Sequence, residues 1–433
     1  MRKLFPVLIQ CCVGLSVILG PGTDAFAAGS VDSPGETVDA PTRPSVEACA
    51  PSEYAADTYF PKPAFADQTR APAGVPSTGY GVEVAAKDLV HPWSLAFLPN
   101  GRMLVTERPG RLRIVTRSGA VSQPLEGIPP SERTPDEERL HEVVLDPQFA
   151  VNRVVYLTYY PKLVGGGESA EPVQATGQVI RAKLSANEDR LTDWQVIYQG
   201  ALVRRLAFAR DGSLLVSTTV SDPHIQPQPL PQSPESDEGK VLRINPDGSV
   251  PKDNPWAEVK GARPELFAIG FKDAEGLTFD PVSGLLWAVD HGPRGGDKLN
   301  VIRRGRNYGW AVITYGRGDS GEWDGKLING GLTAKKGMEQ PVYFWTPSIA
   351  PSGLLIYSGK MFPQWRGNIF VGALAYKRLV RLEIKNGRVA SEESLLTERC
   401  VRIRDVREDG DGAIYLLTDE ENGQILRLMR VDK

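Results

Sequence analysis

Six times along this chain a turn signal is followed at once by a short apolar or β-branched run, and this recurrence constrains the fold more than any other feature. Pro99-Asn100-Gly101 precedes Met103–Thr106, Asp146-Pro147 precedes Val154–Tyr159, and Asp211-Gly212 precedes Leu214–Thr218. Asp280-Pro281 then precedes Leu285–Asp290, Arg366-Gly367-Asn368 precedes Ile369–Ala373, and Asp411-Gly412 precedes Ile414–Thr418. The units recur at intervals of about 45 to 85 residues, and each reads as strand, turn, strand, polar turn, strand, as in Leu95–Phe97, Met103–Val105 and Leu112–Val115. A four-stranded antiparallel unit buries its faces only by stacking on a neighbour, and a closed ring removes the exposed edges. The expectation is an all-β, six-bladed β-propeller of four-stranded antiparallel blades over residues 79–433. A pair of β-sandwiches would need a composition break near the middle, and there is none. The loops 160–178, 221–238 and 314–340 are longer than turns require, which is where a propeller builds a ligand site.

The ends of the chain read differently. Residues 1–28 have the form of an export signal: Arg2 and Lys3, an apolar run from Leu4 to Leu19, and small residues at Ala25-Phe26-Ala27. Pro6, Gln10 and Gly14 interrupt that run, so a membrane anchor fits less well, and no later segment is apolar enough to span a bilayer. The expected location is periplasmic or secreted. Residues 29–78 are rich in Pro, Ala, Ser and Thr and read as an extended, lightly docked tail. Of four cysteines, Cys11 and Cys12 fall in the signal, which leaves Cys49 and Cys400 as a pair that can close a disulfide in an oxidising compartment. With 50 Lys+Arg against 53 Asp+Glu there is no basic excess to draw the protein to nucleic acid. Gly165-Gly166-Gly167 lacks the strand-to-helix context of a phosphate cradle.

Several segments, in order, resemble the soluble pyrroloquinoline quinone (PQQ)-dependent aldose sugar dehydrogenases, the glucose/sorbosone dehydrogenase family. They include His91–Phe97 with Thr106-Glu107-Arg108, Asp146–Phe149, Gly239–Asn245, His291-Gly292-Pro293, Asn307–Trp310, Pro347–Gly353 and Arg402–Val406. The resemblance implies a six-bladed propeller that oxidises the C1 hydroxyl of an aldose to a lactone. A His takes the hydroxyl proton, hydride passes to PQQ, and calcium polarises the quinone. The partner would be a small-molecule sugar.

This chain departs from that pattern where the chemistry is concentrated. The family's His-Phe-Gly-Ser/Gly-Arg-Leu segment matches Ala201-Leu202-Val203-Arg204-Arg205-Leu206, so the base position holds Ala201, which accepts no proton. The Gln-Gly-Gly segment matches Glu137-Glu138-Arg139, and the cofactor-binding His-Arg-Asn matches Phe271-Lys272-Asp273. Two added carboxylates facing a tricarboxylate should each cost on the order of 1 kcal/mol or more. Arg402 and Arg404 are retained, either to pair with the cofactor or as salt-bridge residues of the propeller. For calcium the matching positions are Gly292, Pro293, Asp297 and Tyr308, but Lys298 replaces the expected Glu and should neutralise Asp297 in the ion's place. Substitute bases are His224, which also fits a solvated loop imidazole, and Glu137, if burial raises its pKa. His141 stands where the family has an apolar residue and reads as a partly buried structural side chain. Three functions remain in view: a dehydrogenase with an altered site, a catalytically inactive propeller that binds carbohydrate or another ligand, and a protein-interaction scaffold.

Overall fold

The computed structural model describes residues 49, 59–77, 79–131, 138–161, 163–164, 174–221, 229–319 and 324–431. The proposed signal, residues 29–48 of the tail, Glu137 and His224 lie outside them.

Six antiparallel sheets follow one another along the chain. Blade 1 comprises Pro92–Phe97, Met103–Glu107 and Arg111–Val115; blade 2 comprises Leu140–Leu145, Val154–Tyr159, Gly177–Leu184 and Leu191–Gly200. Blade 3 is built from Val203–Phe208, Leu214–Thr218, Lys240–Ile244 and Leu266–Ile269, and blade 4 from Ala274–Phe279, Leu286–Asp290, Asp297–Ile302 and Tyr343–Trp345. Blade 5 holds Pro351–Ile356, Ile369–Ala373, Arg378–Lys385 and Arg388–Leu395. Blade 6 combines Ile403–Glu408, Ile414–Thr418 and Gly423–Arg430 with the N-terminal strand Tyr80–Leu89, which pairs Tyr80 with Arg430 and closes the ring. The expected six-bladed propeller is therefore the fold, with one difference. Blade 1 has three strands, and its outer edge is met by an irregular segment in which Ser122 N donates to Ile114 O at 2.9 Å and Leu125 N to Leu112 O at 2.8 Å. Pro124 within this segment has no N–H with which to extend a ladder.

The core is divided among the blade interfaces rather than collected in one place. Clusters centred on Leu104 and Leu157, on Tyr156 and Val216, on Ala268 and Ala288, on Val289 and Val371, on Phe370 and Leu416, and on Val105 and Ile425 fill the six successive gaps. The second strand of a blade is covered on both faces, so Met103–Glu107, Leu214–Thr218 and Ile369–Ala373 are buried at every residue. That is why these strands read as continuous apolar runs instead of alternating ones. The preceding turns are local: Gly212 takes φ +84°, and Asp211 Oδ1 accepts from Ser213 N at 2.9 Å.

Along the axis the inner strands meet around a buried charge network. Arg205 Nη1 donates to Glu142 Oε2 at 3.0 Å and to Asp405 Oδ1 at 3.1 Å, its Nε donates to Glu275 O at 2.7 Å, and its guanidinium lies 4.0 Å over Trp93. Five blades thus meet at one cation.

The tail is more firmly placed than its composition suggests. Gln68 is fully buried, its Nε2 donates to Pro341 O at 2.9 Å, and its carbonyl accepts from Phe344 N at 2.9 Å. Gly74 N donates to Glu392 O at 2.8 Å, so residues 68–74 run along the outer strands of blades 4 and 5. A polar residue with both backbone and side chain satisfied can be buried at little cost, and this is how a segment poor in apolar residues docks. Cys49 and Cys400 are disulfide-bonded, with their Cα atoms 5.5 Å apart.

Candidate functional site

Because each blade is a meander of the same sense, all inner strands begin at the same mouth of the axial channel. The residues at or just before those starts therefore converge: His91, Glu138 and His141, Arg204, Asp273 and Glu275, and Arg404. Asp419, after the second strand of blade 6, joins them.

Arg204 organises one side of this mouth. Its Nε donates to Asp273 Oδ1 at 3.0 Å, its Nη1 to Glu138 Oε2 at 3.3 Å, and Glu275 Oε1 lies 3.7 Å away. Burial alone would lower the Arg204 pKa, but Asp273 and the other carboxylates more than offset this and hold it well above the ordinary value. Burial works against ionised Asp273 too, and Arg204 holds its pKa below the usual range. Arg404 organises the other side, with Nη2 2.7 Å from Asp419 Oδ2 and Nη1 3.1 Å from Glu275 Oε2. Arg402 reaches Asp419 at 3.3 Å, and His91 Nδ1 lies 2.9 Å from the same carboxylate.

His141 sits beneath. It is fully buried, stacked on Trp93 at 4.4 Å, with one ring nitrogen 2.9 Å from the Tyr160 hydroxyl and the other 3.1 Å from Glu138. Burial pushes its pKa down to about 4, against the pull of Glu138. It is a neutral packing residue at pH 7, buried more completely than expected. Ala201 is buried, with its N–H directed to Asp237 Oδ2 at 3.3 Å.

Asp273, expected from the sequence to face a cofactor, has its carboxylate paired with Arg204. Arg204 is the group that sequence reasoning passed over. The signal was present, since Arg204 and Arg205 are adjacent cations on an otherwise apolar inner strand and demand carboxylates nearby, and Glu138 and Asp273 supply them to Arg204.

At the expected ion site Asp297 is fully buried and its carboxylate is saturated by neutral donors: Gly292 N at 2.8 Å, Ser348 Oγ at 2.9 Å and Ile349 N at 2.7 Å. Lys298 does not neutralise it. The Lys298 ammonium donates to Tyr308 O at 3.2 Å and is drawn electrostatically by Asp290, while Lys272 Nζ donates to Gly292 O at 3.4 Å. Pro293 is buried on the same turn. Two carbonyls that could ligate a cation thus accept from ammonium groups, and no cluster of three His, Cys, Asp or Glu suited to a metal occurs among the described residues. Calcium wants about six to eight oxygen ligands, and these residues do not fit it. They fit a tricarboxylate poorly as well, because Arg404, Arg402 and Arg204 already carry carboxylate partners and Lys272 is turned to a backbone carbonyl.

Among the described residues no helix is long and apolar enough to cross a membrane. Residues 89–427 match the glucose/sorbosone dehydrogenase family. The chain is 35% identical over 360 residues to an aldose sugar dehydrogenase of Escherichia coli, covering 80% of this chain and 92% of that one. The crystal structure of the soluble E. coli aldose sugar dehydrogenase in its apo form superposes with a TM-score of 0.72 at 33% identity, over 81% of this chain and 99% of that one. A crystal structure of a glucose dehydrogenase gives a TM-score of 0.73 at 38% identity, over 80% and 99%. The chain belongs to the glucose/sorbosone dehydrogenase family.

Proposed function

We propose that this member of a sugar-oxidoreductase family binds carbohydrate without oxidising it, at a centre whose charges have been re-paired internally. The observation that carries the reading is the Arg204 cluster. Three substituted positions, 138, 204 and 273, compensate one another across blades 2, 3 and 4 at contacts of 3.0 and 3.3 Å. Lone substitutions that merely eroded a site would leave buried charges unmatched, at several kcal/mol each. With Ala201 at the position that the resemblance assigns to the base, that position itself supplies no proton acceptor. The mouth keeps polar groups within reach of solvent, including Glu138 at 37% and Arg402 at 39% exposure, and these suit hydrogen bonding to hydroxyls.

Export is part of the proposal, supported by the signal-like residues 1–28 and by the Cys49–Cys400 disulfide, which suits an oxidising compartment. The test is reconstitution of purified protein with PQQ and calcium chloride. The expected result is no reduction of an artificial dye by aldoses and no rise in Tm with either additive. Dye reduction above the blank would overturn the reading and restore the dehydrogenase one.

A further inference from the structure

Away from the axis, a cleft of about 370 Å³ opens between the outer parts of blades 4 and 5. One wall is the docked tail from Thr69 to Ala73; the others carry Trp345, Tyr376, Arg378 and Glu392. It shares no residue with the central cluster.

The polar groups of this cleft are incompletely paired in a specific way. Glu392 Oε2 accepts from Tyr343 Oη at 2.8 Å and from Trp345 Nε1 at 3.1 Å, which fixes the carboxylate. Its other oxygen, Oε1, lies 3.9 Å from Arg378 Nη2, too far for a direct hydrogen bond. Arg378 is 11% exposed, its guanidinium lies 4.9 Å from the centre of the Tyr376 ring, and its Nε has no hydrogen-bond partner among the described residues. That nitrogen is shut off from solvent, so what Arg378 offers the cleft is the other edge of its guanidinium, whose Nη2 lies 3.9 Å from Glu392 Oε1.

The chemistry selects the occupant. An anion would meet Glu392, and a cation would meet Arg378 and Arg70, which also lines the cleft. A neutral molecule with adjacent hydroxyls satisfies both, one hydroxyl accepting from Arg378 while its neighbour donates to Glu392 Oε1. The partly exposed Tyr376 supplies apolar ring surface for a C–H face, and the volume lies at the small end of ligand sites, about 300 to 1,000 Å³. We propose that this cleft is a binding site for a pyranose ring, with Arg378 and Glu392 bridging vicinal hydroxyls and the N-terminal tail forming part of the wall.

The inference goes beyond the central reading, and the cleft variants separate the two, because glycoside binding at the axial mouth would survive them. Methyl α-glucoside, methyl α-galactoside and methyl α-mannoside lack the C1 hydroxyl that aldose oxidation needs, so a response to them reports binding alone. Titrating each into the full-length protein, followed by tryptophan fluorescence and by calorimetry, should show saturable binding to at least one. Arg378→Ala and Tyr376→Ala should each weaken that binding tenfold or more while leaving Tm within a few degrees. Should Arg378→Ala prove poorly folded, Tyr376→Ala, in a surface turn, decides the matter. No saturable binding of any of the three glycosides, or binding unchanged in the folded variants, overturns the proposal.

Discussion

Replacing Arg204 with Met tests the claim that the centre is internally re-paired. Met keeps the hydrocarbon stem and removes the charge. Arg204 and Asp273 are each 15% exposed and in contact at 3.0 Å, with Glu138 at 3.3 Å and Glu275 at 3.7 Å. Removing one partner of a well-buried ion pair costs about 3–5 kcal/mol, and the residual exposure together with nearby Arg404 reduces this to about 3 kcal/mol. Asp273→Asn in the same background removes one of the stranded charges and should recover about 1–2 kcal/mol, a coupling that a double-mutant cycle in urea resolves if the m-value is unchanged. The Arg204→Met penalty should also depend on pH. Because the folded pKa of Asp273 is depressed, its pairing stabilises the fold above the unfolded carboxylate value, near 3.9, and is lost as pH falls through the folded value. The penalty should therefore be full at pH 7 and shrink below about pH 4. An Arg204→Met protein within about 0.5 kcal/mol of the parent at pH 7, or one that Asp273→Asn destabilises further, would refute the compensation argument.

Other consequences follow from the same geometry. Ala201→His should leave dye reduction at background in the presence of PQQ and calcium, because the base would return to a centre still occupied by the Arg204 cluster; turnover from this single change would show that the cluster does not block the cofactor. The His141 pKa of about 4 lies below its unfolded value near 6.5, so its neutral burial stabilises the fold above about pH 6.5 and this contribution falls away toward pH 4. His141→Leu should flatten that slope, worth at most about 1.4 kcal/mol per pH unit, in a plot of unfolding free energy against pH. Reducing the Cys49–Cys400 disulfide, whose residues are 351 positions apart, should cost about 2–5 kcal/mol, read as a lower Tm with dithiothreitol and in Cys400→Ser without it.

The blades were legible because their signals are local. Asp211-Gly212 before an apolar run specifies a turn and a strand whatever surrounds it, and six repetitions of one such unit leave few closed arrangements. What escaped was contact between distant positions. Arg205 gathers Glu142 and Asp405, 63 and 200 residues away in sequence, and no period links them. The third strand of blade 1 looked like the start of a four-stranded sheet, and only the covering segment around Ser122 and Pro124 reveals that no fourth partner joins. The tail looked loose because it is poor in apolar residues; Gln68 docks it by hydrogen bonds that composition does not encode.

By itself, then, the amino-acid sequence determined the repeat, the six-bladed ring and the family, since each rests on residue identity or short spacing. Only the tertiary structure decided what the substitutions mean together. Glu138, Arg204 and Asp273 belong to three blades, and whether their charges repel a ligand or neutralise one another depends on a few ångströms between side chains that the chain brings together only when the ring closes.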